Sequence, residues 1–207
     1  TPLDATLWAT MGSMIGLMWV LNLILIVYLF FQPFKDRAFK SALVWGVVIA
    51  FIGGLTGFFM TEQRTPEQQV QIAQGEPLEF EGGHTFGSED GGAGLPFVGW
   101  STTHGDMRPA HFFGLHGLQL IPLLGIAINR RFSAFSAGRR TALVFISSLA
   151  YLGFIGALVL QALNELPITS FDGTTLMILS LVTLSGTILW TLVVRGGNQH
   201  LNEKRIY

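Results

Sequence analysis

Three of the five histidines lie close together, His104, His111 and His116, in the run THGDMRPAHFFGLHGLQ from Thr103 to Gln119, which also holds Asp106 and Arg108 and heads an apolar stretch ending at Ile128. An ionisable side chain in hydrocarbon costs several kcal/mol unless it is paired, ligated or hydrated, so imidazoles carried into such a stretch mark a site for ligation or proton handling. On a helix, the five-residue step from His111 to His116 turns the two rings about 140° apart and separates them by about 7.5 Å along the axis. They do not form the i, i+4 pair that clamps one metal ion. Gln119 falls between them, about 80° from His111 and 60° from His116. The expectation is one polar arc, turned toward the bundle and not toward lipid.

Other segments bring further groups to the same depth. Glu62 closes the second apolar run, and Gln161, Asn164 and Glu165 close the fourth. Met11, Met14 and Met18 align on one face of the first run, with Asn22 continuing it. His84 and His104 lie in a long loop with Trp100. Thioether with imidazole suits copper(I) or a haem axial pair, and imidazole with carboxylate suits zinc or non-haem iron. The candidate ligands to a metal ion (copper, iron or zinc) or haem b are therefore His116, His111, His104 and His84, with Gln119, Trp100, Met11 and Met14 as cofactor contacts. Glu62, Glu165, Arg108 and Asp106 are the candidate catalytic groups, as ligands, proton relays or counter-ions. Each has a plainer reading. A methionine stripe fills packing gaps, Asp106 caps a helix that starts at Pro109, Arg108 pairs with Asp106, and His111 hydrogen-bonds at the interface. His200 reads as solvated.

These residues need a membrane scaffold to position them. Half the residues are hydrophobic, 12% are charged and mean hydropathy is +0.50, about half the charge of an ordinary soluble domain. Apolar runs cover about 7–31, 42–60, 109–128, 142–163 and 174–194, each long enough to cross roughly 30 Å of hydrocarbon as a helix. The expected fold is a single all-α transmembrane domain, a bundle of five helices embedded in the lipid bilayer. The first run is too long and too poorly flanked for a secretory signal. The chain starts at Thr1 without an initiator methionine, so upstream residues are expected to have been processed off, engineered away or left outside this sequence.

Cations set the orientation. Lys35, Arg37, Lys40, Arg130, Arg131, Arg139, Arg140, Arg195, Lys204 and Arg205 all fall on one side of the runs, whereas the other side holds most of the acids and only Arg64 and Arg108. By the positive-inside rule the N-terminus is outside and the C-terminus cytoplasmic. The outer loop, residues 61–108, opens with a short helix from Pro66 to about Gln74. It then turns glycine-rich, yet Phe80, Phe86, Leu95, Phe97, Val98 and Trp100 are too apolar for a floppy linker. It is expected to fold back as a cap on the bundle.

Gly12 with Gly16 and Gly53 with Gly57 have the spacing that lets helix backbones touch, and Gly114 with Gly117 and Gly153 with Gly156 offer looser versions. The chain has no cysteine, which removes disulfides, iron–sulfur clusters and thiolate metal sites. Balanced charge gives no reason to expect nucleic acid. Motifs of zinc proteases, serine esterases and phosphate loops are missing, so neither a familiar protease or esterase nor a nucleotide enzyme is expected; a membrane oxidoreductase is the enzyme class that the metal or haem reading would bring.

The run GWSTTHGDMRPAHFFGLHGLQ, from Gly99 to Gln119, resembles a segment shared by uncharacterised bacterial integral membrane proteins, with no activity attached. The resemblance implies a bacterial inner membrane, and it groups Trp100, Asp106, Arg108, His111, His116 and Gln119 as one unit. The leading functional expectation is a membrane metal- or haem-binding protein with a histidine-centred site in the outer leaflet, doing redox chemistry. Because the embedded histidines share one helix, a haem would need a loop histidine, a methionine or a partner subunit. The alternatives are a non-catalytic subunit of a larger membrane complex or homo-oligomer, and a proton-coupled or small-solute conduit lined by Asn22, Gln119, His116 and Gln161.

Overall fold

The computed structural model describes residues 2–61, 66–76 and 82–206. Among these lie six helices and one two-stranded ribbon, in the order α1 (Pro2–Phe31), α2 (Arg37–Thr61), α3 (Pro66–Gln74), β1 (Thr85–Phe86), β2 (Gly105–Asp106), α4 (Arg108–Arg131), α5 (Ala137–Leu163) and α6 (Gly173–Ile206). Five of them, all but α3, are long and apolar enough to cross a membrane. The helices overrun the apolar stretches at several ends, most of all in α6, which continues past Val194 through a polar tail. Lys and Glu favour helix, so the backbone has no reason to stop where the hydrophobicity does.

The centre of the bundle is α2 against α4. Small residues recur every three or four positions on α2, at Ala42, Gly46, Ala50 and Gly53, and face Ala110, Gly114, Gly117 and Gly125 on α4, which brings the backbones together where bulky side chains would hold them apart. The crossing is tightest at Gly53, where an added Cβ would lie 2.5 Å from Gly114 Cα and 2.7 Å from Leu115 N. A Cβ on Gly46 would meet the ring of Pro122 at 2.9 Å, so the proline inside α4 is seated on a glycine. Gly12, Gly16 and Gly156, by contrast, face open space.

Helix α5 covers the α2–α4 pair with Leu143, Val144, Ser148, Ile155 and Leu158. The hydroxyl of Tyr151 donates to Phe113 O on α4 at 2.6 Å. Helix α6 packs on α5, where Trp190 Nε1 donates to Ser147 Oγ at 3.0 Å. Helix α1 rests on α2 through Trp19, stacked on Phe51 with ring centroids 4.3 Å apart, and is exposed over most of its surface. Lys40 reaches back to donate to Phe30 O and Gln32 O at 2.7 and 2.8 Å, satisfying carbonyls that the end of α1 leaves without helical partners.

The two ends of the bundle differ. At the basic end Asp36 Oδ1 accepts Phe39 N at 2.9 Å as the cap of α2. There Arg140 donates to Ser133 O and Phe135 O and lies 3.6 Å from Asp36. At the other end the segment from Gly82 to Met107 lies on the helix tips. Phe86 and Met107 form a second apolar cluster with Ala110, Leu158 and Ala162. Gly83 N donates to Met60 O at 2.8 Å. The ribbon pairs Thr85 with Asp106 and Phe86 with Gly105, and Gly105 abuts the carbonyl of Ala162 so closely that no side chain fits there.

Candidate functional site

The start of α4 is built around one carboxylate. Asp106 is fully enclosed; its Oδ1 accepts Arg108 N at 2.9 Å and Arg108 Nε at 3.0 Å, and its Oδ2 accepts Ser101 N at 2.8 Å and Arg108 Nη2 at 2.7 Å. Arg108 Nη2 also donates to Gly99 O at 2.6 Å. Burial opposes ionisation of Asp106, but the Arg108 side chain and the two backbone amides more than offset it and hold its pKa below the ordinary 3.8. With every acceptor position in use, the pair ties the 99–101 backbone to the helix start. The helix itself begins at Arg108, with Met107 in the cap position and no side-chain cap bond, so Asp106 is the residue before the cap and not the cap itself.

His111 enters the α2–α4 crossing. Its Nδ1 lies 2.9 Å from Gly53 O and 3.1 Å from Thr56 Oγ1, and the Thr56 hydroxyl donates to the same carbonyl at 2.7 Å. A carbonyl only accepts, which places the ring proton on Nδ1 and the lone pair on Nε2. Gly57 makes room for the ring, since a Cβ there would sit 3.3 Å from His111 Cε1.

His116 stands on a different surface. Its Nδ1 lies 2.9 Å from Phe112 O, one turn back, so this ring too carries its proton on Nδ1 and keeps Nε2 as a free acceptor. The imidazole stacks on Phe112 at 4.1 Å between centroids, and Phe112 meets Trp100 at 5.7 Å. His116 and Gln119 are both exposed on the chain's surface, which corrects the expectation of a polar arc turned into the bundle. The inward arc of α4 belongs to Ala110, Gly114, Gly117 and Ile121, because the close α2 crossing takes the small residues.

The other candidates lie elsewhere. Met11 and Met14 are 48% and 63% exposed on α1, while Asn22 is half-buried on the α2 side of that helix. His84 Nδ1 is 2.9 Å from Asp90 Oδ1, and Asp90 also accepts the amides of His84 and Thr85, a local knot that shapes the loop. His104 Nδ1 is 3.0 Å from Thr103 Oγ1. Glu165 occupies the position after the α5 cap in left-handed backbone, φ 62°, and its carboxylate lies over Gly87. Gln161 is buried, with Nε2 donating to Pro167 O and Ser170 O at 2.6 and 2.9 Å, and closes the turn after α5. Glu62 lies outside the described residues. Among the described residues no three His, Asp or Glu side chains converge to hold a metal ion.

The structure thus assembles three units from the Gly99–Gln119 run: the Asp106–Arg108 clasp, His111 on Gly53 and Thr56, and the Trp100–Phe112–His116 ladder. Sequence reasoning missed Gly53 O and Thr56 as partners of His111. The signal was present in the small-residue spacing of α2, read there only as helix packing. Comparison with protein families, with curated proteins and with solved structures gives no match to this chain.

Proposed function

We propose that this is a membrane subunit that binds a metal-centred group, a metal ion or a haem, through His116 on the surface of α4, and that the group is shared with a partner helix. The observation that carries this reading is the state of the His116 ring. Its Nδ1–H is held by Phe112 O at 2.9 Å, and a ring proton held by a carbonyl is the arrangement that orients a ligating imidazole and strengthens its other nitrogen as a donor. Nε2 then leaves the protein from an exposed position about 12 Å along the helix from Arg108. A bare ion held by imidazoles would be copper, zinc or iron, while a haem needs only axial ligands from protein because its porphyrin brings four nitrogens of its own. Phe112, Trp100 and Leu120 offer aromatic and apolar surface for its ring, and the bound iron would supply one-electron redox chemistry.

The charge asymmetry supports a bacterial inner-membrane orientation with the Gly82–Met107 segment extracytoplasmic, since Arg37, Lys40, Arg130, Arg131, Arg139 and Arg140 share the opposite end. Absorption spectra and elemental analysis of protein purified from haem-replete membranes test the proposal. A Soret band, or stoichiometric copper, iron or zinc, is expected in the wild type and lost in His116→Ala. Protein with neither pigment nor metal overturns it.

A further inference from the structure

The surface that carries His116 also indicates who the partner is. Phe112, His116, Gln119 and Leu123 follow one another at steps of four, three and four, the spacing of a seam along which two helices run side by side. All four are exposed, Phe112 by 42% and Leu123 by 62%. The opposite side of α4 is already filled by α2. A glutamine and a histidine well inside a membrane-spanning helix, open to hydrocarbon, need hydrogen-bonding partners that lipid tails do not offer.

The chemistry of the two residues selects a second copy. A glutamine amide is donor and acceptor at once, so Gln119 is complementary to itself across a two-fold axis, as a closed dimer requires. His116 is not complementary to itself. With its proton committed to Phe112 O, it presents a lone pair, and a two-fold brings two such lone pairs together. What satisfies both is a Lewis acid between them. We infer that the chain forms a parallel homodimer through this face of α4, with Gln119 paired to Gln119 of the second copy and the two His116 rings supplying two ligands of one shared metal ion, small enough to leave the glutamine contact one turn away intact. The ligand part rests on the reading of His116 given above; the dimer part does not.

The chain has no cysteine, so single introduced thiols report the contact without background. Leu123→Cys and, separately, Phe112→Cys are cross-linked in native membranes with a short bismaleimide. Leu149→Cys, exposed on α5, is the control. Cross-linked dimer is expected at both seam positions, well above that at residue 149, and Gln119→Leu should lower the yield by up to about eightfold, the effect of two interhelical hydrogen bonds, one per copy, in a membrane. Seam yields no higher than the control overturn the dimer, and if pigment or metal is nonetheless bound, the reading of His116 survives with a different partner. Seam cross-links in protein without pigment or metal leave the dimer standing and overturn the shared ligand group.

Discussion

The carbonyl of Gly53 on α2 accepts the Nδ1–H of His111 on α4 at 2.9 Å, about one turn from the point where Gly53 itself rests on the backbone of Gly114. A single residue therefore sets both the helix approach and the orientation of an imidazole. Adding a methyl at Gly53 forces the backbones apart, since neither Gly114 Cα nor Leu115 N is a flexible end that can step aside. Gly53→Ala should cost about 1–3 kcal/mol or more, the range for overpacking a tight core, read as a lowered unfolding temperature in detergent. Gly156→Ala, with nothing within 4 Å of the new methyl, should be neutral or slightly stabilising because alanine is the better helix former. Equal effects of the two substitutions would contradict the crossing.

The two histidines of α4 should separate in their phenotypes. His111→Ala removes a half-buried ring and leaves Gly53 O with one donor fewer, so it should lower stability by about 1–3 kcal/mol. His116→Ala removes an exposed ring and should unfold close to the temperature of wild type stripped of its bound group, while itself binding no pigment or metal. Thermal unfolding and absorption spectra on the same samples check both. Loss of stability in His116→Ala with bound metal retained would reverse the assignment.

Hydrophobic run length was enough to foresee five helices long and apolar enough to span a membrane, because the need to satisfy backbone groups inside lipid leaves few alternatives. The short helix ending at Gln74 was likewise legible from Pro66. Which face of α4 turns inward was not. His116 and Gln119 are the polar residues, and polarity is drawn toward a bundle interior when one chain is considered alone; the interior was instead taken by glycines, whose contribution is close approach. The roles of Asp90 and Gln161 were hidden for a different reason. Both bind backbone groups brought near by loop geometry, Thr85 N in one case and Pro167 O in the other, and no side-chain pattern announces such partners.

Acid should loosen the clasp at the start of α4. Asp106 keeps its pKa below 3.8 against the effect of burial, and Asp36, held chiefly by the Phe39 amide, is lowered in the same direction. A carboxylate with a depressed folded-state pKa contributes stability that is fully present above its unfolded value and is lost as pH falls through the folded one. These contributions are therefore complete near neutrality and decline only below about pH 3.8. Asp106→Asn should be less stable than wild type by about 2 kcal/mol at pH 6, the lower part of the range for charged hydrogen bonds because the Arg108 side chain is 30% exposed. The gap should narrow below pH 3.8. Unfolding temperatures measured between pH 6 and pH 3 decide, and a gap independent of pH would show that Asp106 is not held by its charge.

Glu165 gives the sharpest separation between a structural and a chemical role. Leu166 N donates to Gln161 O and Glu165 N to Ala162 O, both at 3.0 Å, the paired bonds that end a helix with a left-handed residue, usually glycine. With φ at 62°, glutamate bears a steric cost of roughly 1 kcal/mol that glycine does not. Glu165→Gly should leave stability unchanged or raise it by up to about 1 kcal/mol, whereas Glu165→Ala keeps the steric cost and gains nothing. If Glu165 instead serves as ligand or proton relay, Glu165→Gly should diminish bound metal or its redox response even as the fold firms. Unfolding temperature and spectroscopic titration of the same variant distinguish the two, and a fall in stability on placing glycine there would show that the carboxylate's packing over Gly87 outweighs the backbone strain.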